Sequence, residues 1–375
     1  MEAIESKTKN KNLLIIVLIP FLLFVVALIL ILGLTIKKKE KTQVNEDKDE
    51  DKVEIVDSYD NTQKLIEKFP VLNSTTVQPG LETKIQNRLL TGFENWNRGF
   101  KAWKKWGNIL YTEASIYNVH GARLTLSQYQ DAMDVTLSKT NILMGDFYNM
   151  LICGDFAAIY YDIKTIIGGK ERPGTVMEFV LFKDYGEQLG TRVVVGWGGT
   201  KDDSVDSMRS FQGDEESMIQ NEQNHLLVKY QIPTTAGTLN EKYPVLYPSE
   251  YTDQETADKY IEIILQGFDK WNSGIGDYQS WVDTAYTTDA KSYGLRGAER
   301  AMTEYKQEIE TRFGQEKIEK LYFDNILIRD DWAALHYRYR ITNLSNSAIY
   351  VGDRMQFLQF VQDGSGFKIK ASWIK

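Results

Sequence analysis

GFENWNRGFKAWKKW, from Gly92 to Trp106, is written a second time in the chain as GFDKWNSGIGDYQSW, from Gly267 to Trp281. Glycine, phenylalanine, an acid, Trp-Asn, a second glycine and a closing tryptophan recur at a constant offset of 175. On the approach, Leu81, Ile85, Leu89, Phe93 and Trp96 keep one-face helical spacing, as do Ile261, Leu265, Phe268 and Trp271. Asn-x-Gly then stops the helix, and a second, shorter helix carries Trp103 and Trp106.

Outward from this stretch the correspondence continues at an offset of 176. Ala114, Tyr117, Gly121 and Tyr129 meet Ala290, Tyr293, Gly297 and Tyr305, DFAAIYYDI (155–163) meets DWAALHYRY (331–339), and Trp197 meets Trp373. Upstream, Phe69-Pro70-Val71-Leu72 meets Tyr243-Pro244-Val245-Leu246. An offset held over about a hundred residues marks a duplicated unit of about 110–130 residues. Two domains, 61–200 and 241–375, are expected, with a polar connector over 201–240 in which HLLVKYQI (225–232) could add one strand.

Each copy predicts helices first and strands after. A short strand is expected around Ala114–Asn118 and a helix over Ser127–Leu137 (Glu299–Phe313 in the second copy). Alternating strands follow over Asp146–Ile152, Asp155–Ile166, Val176–Lys183 and Arg192–Trp197. Gly168-Gly169 through Pro173-Gly174 reads as a hairpin loop. The order implies an α+β fold, with helices on one face of a curved antiparallel sheet. In DWAALHYRYRI, Ala333, Leu335, Tyr337, Tyr339 and Ile341 form the face that should pack on helices. His336 then points away, to the outer face or the contact between copies.

Composition excludes several classes. The net charge of −8 argues against a general binder of nucleic acid or anionic lipid. One cysteine, Cys153, cannot form an internal disulfide, and its apolar strand predicts a buried, inert thiol. With only His120, His225 and His336 besides, no zinc-ligand cluster is expected, and no other metal or cofactor. No phosphate-binding loop, nucleophile elbow or metalloprotease motif occurs.

Leu13 to Ile36 is a run of 24 uncharged residues. As a helix it reaches about 36 Å, enough to cross a membrane. Its length, and the lysines directly after it, read as an uncleaved anchor behind a short tail (1–12) and before a charged tether (37–60) that is mostly acidic from Thr42 on. Lysines balance on the two sides. A short N-terminal tail before a large body places the body outside, so a single-pass protein of a bacterial-type cell membrane is expected, with extracellular C-terminal domains.

The element order, with W-N-x-G closing the first helix in both copies, resembles the NTF2-like superfamily, and within it the SnoaL-like polyketide cyclases. The resemblance implies two tandem cone-shaped domains, each with helices and a curved sheet around an apolar pocket. It also implies two functional readings. The first is a non-catalytic, extracytoplasmic binding or scaffold module, anchored in the lipid bilayer by its N-terminal helix and serving a small apolar ligand or an envelope protein partner, with homo-oligomers allowed. The alternative is an isomerase or cyclase acting on a small apolar substrate. The family's isomerase base falls at Asn118 and Gly294, and its oxyanion tyrosine near Gly92 and Gly267, so neither role is filled at those positions. That leaves His120, with Tyr117 as a hydrogen-bond donor, as the acid/base candidates, against a plain loop histidine. Trp96, Tyr111, Tyr117, Trp271, Tyr286 and Tyr293 are the candidate ligand-binding aromatics, against a purely core role. Arg98, Lys101, Lys104 and Lys105 belong to the first copy only, and read as a solvated helix face.

Overall fold

The recurring Trp-Asn pair fastens the end of a helix to a strand. In the computed structural model, Trp96 Nε1 donates to the Ile142 carbonyl at 2.7 Å, and Trp271 Nε1 to the Ile318 carbonyl at 2.9 Å. The next residue closes a two-bond clasp. Asn97 donates to the Met144 carbonyl at 3.1 Å and accepts from its N–H at 2.7 Å. Asn272 does the same to Lys320, at 2.7 and 2.8 Å. An amide side chain is the residue type that offers donor and acceptor together. The glycine that follows has a positive φ in both copies, 111° at Gly99 and 125° at Gly274, which ends the helix and turns the chain into the next one. The leading glycine is fixed by crowding. A Cβ at Gly92 would lie 2.5 Å from Cη2 of Trp106, and one at Gly267 would lie 2.6 Å from Cη2 of Trp281.

The structure describes residues 55, 62–119, 122–137, 140–187, 189–201, 238–294, 298–364 and 366–374. The expected transmembrane run 13–36, the 225–232 strand and His120 lie outside the described residues. Among the described residues no helix is long and apolar enough to cross a membrane.

The first half runs α1 (Thr62–Lys68), β1 (Val71–Ser74), α2 (Leu81–Asn97), α3 (Phe100–Leu110), β2 (Tyr111–Val119), β3 (Ala122–Thr125), α4 (Leu126–Leu137), β4 (Thr140–Cys153), β5 (Phe156–Ile167), β6 (Lys170–Asp184) and β7 (Thr191–Lys201). The second runs α5 (Leu239–Lys242), α6 (Gln254–Ser273), α7 (Ile275–Ala285), β8 (Tyr286–Tyr293), β9 (Glu299–Ala301), α8 (Met302–Phe313), β10 (Glu316–Arg329), β11 (Trp332–Asn343), β12 (Ile349–Asp363) and β13 (Gly366–Ile374). The sheets are ordered β1-β4-β5-β6-β7-β2-β3 and β10-β11-β12-β13-β8-β9. In the second, the place of β1 is held by a single parallel bridge from Val245 to Phe323. Mixed α+β architecture follows from this order.

Three sequence expectations change. The sheets are mixed and not purely antiparallel: β1 runs parallel to β4, β2 to β7 and β8 to β13, because these pairs join strands distant in the chain and not hairpin neighbours. Gly168 and Gly169 alone make the hairpin turn. Ile167 pairs with Lys170, and the ladder runs on past Pro173 and Gly174, which belong to β6. A two-residue turn with positive φ at both positions matches strand twist, so no longer loop is needed. In the second half, Glu299–Ala301 is a strand and the helix starts at Met302.

Each sheet carries its helices on one face, and the other faces pack on each other. Ala333, Leu335, Tyr337 and Tyr339 join the helix-side core of the second half. Trp332, Ala334, Phe357 and Trp373 instead meet Phe156, Ala158, Phe179 and Trp197 of the first sheet. The layers are helices, sheet, sheet, helices. Both faces of the central strands are therefore buried, and β11 is buried from Trp332 through Tyr339. His336 is wholly buried in the sheet–sheet contact. It stacks on Phe179 at 5.5 Å between ring centres and holds Asp353 through Nε2 at 2.8 Å.

The contact between the sheets is reciprocal. Cys153 Sγ donates to the Ile328 carbonyl at 3.3 Å, and Arg329 Nε donates to the Ile152 carbonyl at 3.2 Å. Cys153 and Arg329 are counterparts, as are Ile152 and Ile328. A mutual exchange of that kind is what a two-fold axis generates. Arg329 also forms a buried ion pair with Glu82, at the start of α2. Glu82 accepts from the Gly154 N–H at 2.8 Å and the Gln78 N–H at 2.7 Å as well.

Candidate functional site

Between the helices and the sheet of the first half lies a cavity of about 410 Å³. Its helical wall is Leu89, Phe93 and Trp96 from α2 with Trp103, Trp106 and Leu110 from α3. These are the apolar positions spaced for one helix face, so the motif that closes the helix also builds the chamber. The sheet wall is Ile159, Tyr161 and Ile163 on β5 and Val176, Glu178, Val180 and Phe182 on β6, each set at period two. The rings interlock edge to face: Trp96 on Trp103 at 5.0 Å, Trp103 on Tyr129 at 5.6 Å, and Phe93 on Tyr161 at 4.5 Å. Trp96 spends its N–H on β4, so it offers the chamber an apolar surface.

One polar centre interrupts these walls. Tyr161 donates to Glu178 Oε1 at 3.1 Å, from the adjacent strand. Burial, then the Glu178 carboxylate, holds the Tyr161 phenol well above the usual tyrosine range. Tyr111 is raised the same way, by burial first and then by Tyr129 and Glu178. The phenols are donors at any physiological pH, gathered around one acidic side chain. Arg88 lines the same cavity and brings a charge of the opposite sign. Such a chamber can bury an apolar molecule and orient it by one or two hydrogen bonds.

The sequence-predicted residues divide. Trp96 and Tyr111 line this cavity, and Trp271 lines a smaller one in the second half. Tyr117 lies on β2, its backbone paired with Leu124 and Gly196, and its side chain is outside what is described. Tyr286 is buried in the core, edge-on to Trp281 at 5.7 Å, and lines neither cavity. Tyr293 is on the far side of its sheet, stacked on Trp373 at 4.7 Å and 7°. The ladder between β8 and β13 is irregular between the two tyrosines; Tyr286 lies with Ala290 in the helix-side core, and Tyr293 packs with Trp373 on the other face. Sequence reasoning missed Glu178, Tyr161 and Tyr129. The available signal was a charge on the inward register of VMEFVLF, between Val176 and Val180.

No protein-family profile matches the chain, and no curated protein matches it. Solved structures do. A conserved protein from Planctomyces limnophilus is similar at 12% identity and a TM-score of 0.27, over 33% of this chain and 98% of that one. A ketosteroid isomerase-like protein from Erwinia carotovora is similar at 12% identity and a TM-score of 0.27, over 32% of this chain and 95% of its own. ActVI-ORFA from Streptomyces coelicolor is similar at 11% identity and a TM-score of 0.27, over 33% and 95%.

Proposed function

We propose that the chain is a membrane-anchored pair of NTF2-like binding modules, outside the cell membrane, whose first module holds a small, mainly apolar ligand without transforming it. The observation that carries the reading is the first cavity: about 410 Å³ with walls almost entirely of aliphatic and aromatic side chains. A site of that size and lining buries most of a small molecule and gains from its apolar area. A non-catalytic role is supported at the positions where the resemblance would put an oxyanion tyrosine. Gly92 and Gly267 are packed so closely on Trp106 and Trp281 that a side chain at either position would have to displace the indole ring. The anchor at 13–36 rests on its length and lack of charge. Native mass spectrometry of the full-length chain, released from membranes of its own host, tests the reading. A co-purifying neutral compound, lost when Ile159→Trp fills the chamber and recovered unchanged after prolonged incubation, is the expected result. An empty cavity that takes up no apolar probe would refute it.

A second reading, an isomerase or cyclase of the SnoaL-like kind on an apolar substrate, draws on Glu178. A carboxylate facing an apolar chamber beside a phenol is a proton acceptor with a donor in reach. It predicts that the bound compound is converted, and that Glu178→Gln stops conversion while binding persists.

A further inference from the structure

The second half holds a cavity of about 300 Å³ beneath the same helices, with different chemistry. At counterpart positions, Met144 of the first half becomes Lys320, and Glu178 becomes Arg354. Both line the second cavity. The Lys320 ammonium stands 4.2 Å from the ring centre of Phe268, 4.6 Å from Trp271, 5.4 Å from Tyr337 and 5.7 Å from Tyr278. Although the residue as a whole is partly exposed, its charged end is ringed by aromatic faces. The Arg354 guanidinium lies 5.1 Å from the ring centre of Tyr339, and its Nε is buried without an acceptor. Arg300 and Arg312, at the same cavity, are paired with Glu308 and Glu316. Among the described residues, neither Lys320 nor Arg354 has a carboxylate within ion-pair distance.

We propose that this second cavity binds a small organic anion, a carboxylate carried on a flat apolar body. Two cations lining one cavity repel each other. Burial, and then the Arg354 charge, push the Lys320 ammonium well below the usual lysine range. Aromatic faces offset part of that cost through cation–π attraction, yet they supply no counter-charge. A carboxylate between the two cations would relieve the repulsion and accept from the ammonium and the guanidinium at once. Trp271, Tyr278 and Tyr305 give a planar body something to stack on, with Tyr278 and Tyr305 locked to each other at 3.1 Å between hydroxyls. The room suits a single-ring acid. The site is separate from the first cavity, so its ligand can be absent while that cavity is filled, and the reverse.

Calorimetric titration of the full-length chain in detergent, with benzoate, benzamide and inorganic phosphate as probes, tests this. Benzoate should bind about tenfold or more tighter than benzamide, because charged hydrogen bonds carry the difference. Phosphate alone should bind more weakly than benzoate. Lys320→Met and Arg354→Glu install the residues that the first half carries, and each should weaken benzoate about tenfold or more. Equal affinity for benzoate and benzamide would overturn the proposal, and so would phosphate matching benzoate or both variants binding as the parent does. Should either variant misfold by near-ultraviolet circular dichroism, crystals of the unaltered chain soaked in 4-iodobenzoate decide. Iodine in the second cavity supports the site, and iodine only elsewhere overturns it.

Discussion

Single residues in this chain have uses that the residue type alone does not reveal. Gly92 sits inside α2, where alanine should favour the helix by about 1 kcal/mol. The added methyl would nonetheless meet the Trp106 ring at 2.5 Å. Gly92→Ala is therefore expected to destabilise by about 1–3 kcal/mol, measured by urea unfolding, and a gain in stability would show that the ring can yield. Cys153 has a different consequence. Burial pushes its thiol up to about 12, against about 8.5 in an unfolded chain. The folded state keeps the proton longer, so the thiol's contribution is complete below about pH 8.5 and is lost as pH rises toward about 12. Urea midpoints taken from pH 8 to 10 should fall for the parent, and the fall should be shallower by about one proton in Cys153→Ala. Identical slopes would mean the thiol ionises freely in the fold.

Elements join through a few contacts that local pattern cannot supply. The buried pair of Glu82 on α2 and Arg329 on β10 ties a helix of one half to a strand of the other. Removing one partner leaves the other a buried charge without a counter-charge. Arg329→Met is expected to cost about 3–5 kcal/mol, and Glu82→Leu added to it should restore much of that loss. Additive losses in the double variant, by the same unfolding assay, would show that the two side chains act separately. The helices and strands themselves are legible in the sequence. Trp96-Asn97 and Trp271-Asn272 recur because each makes the same backbone contacts, and the alternation around His336 sorts the two faces of β11 correctly. The cavities are less legible. Glu178 and Arg354 stand on inward registers of strands whose pattern is plain. Whether an inward position meets a packed helix or open space depends on how far the helices stand off the sheet, which one strand does not encode. Tyr293 shows the related failure, because a match between copies says that two residues are equivalent and not which face they share.

At the scale of the whole molecule, the two halves share one interior through their sheets. Ala158 and Ala334 are counterparts, both wholly buried in that contact. A carboxylate there has no partner, so Ala334→Asp should lower stability by about 3–5 kcal/mol. It should also divide one calorimetric transition into two, as each half unfolds by itself. A single transition in the variant would show that the halves are coupled by something other than this face. Two separate copies joined by such a face would part on dilution, because their association depends on their concentration. Here both faces belong to one chain, and their local concentration is set by the polypeptide between them and not by abundance. The pairing of the sheets should therefore hold when the protein is present in only a few copies per cell, and each half can keep its own lining without its twin having to match it.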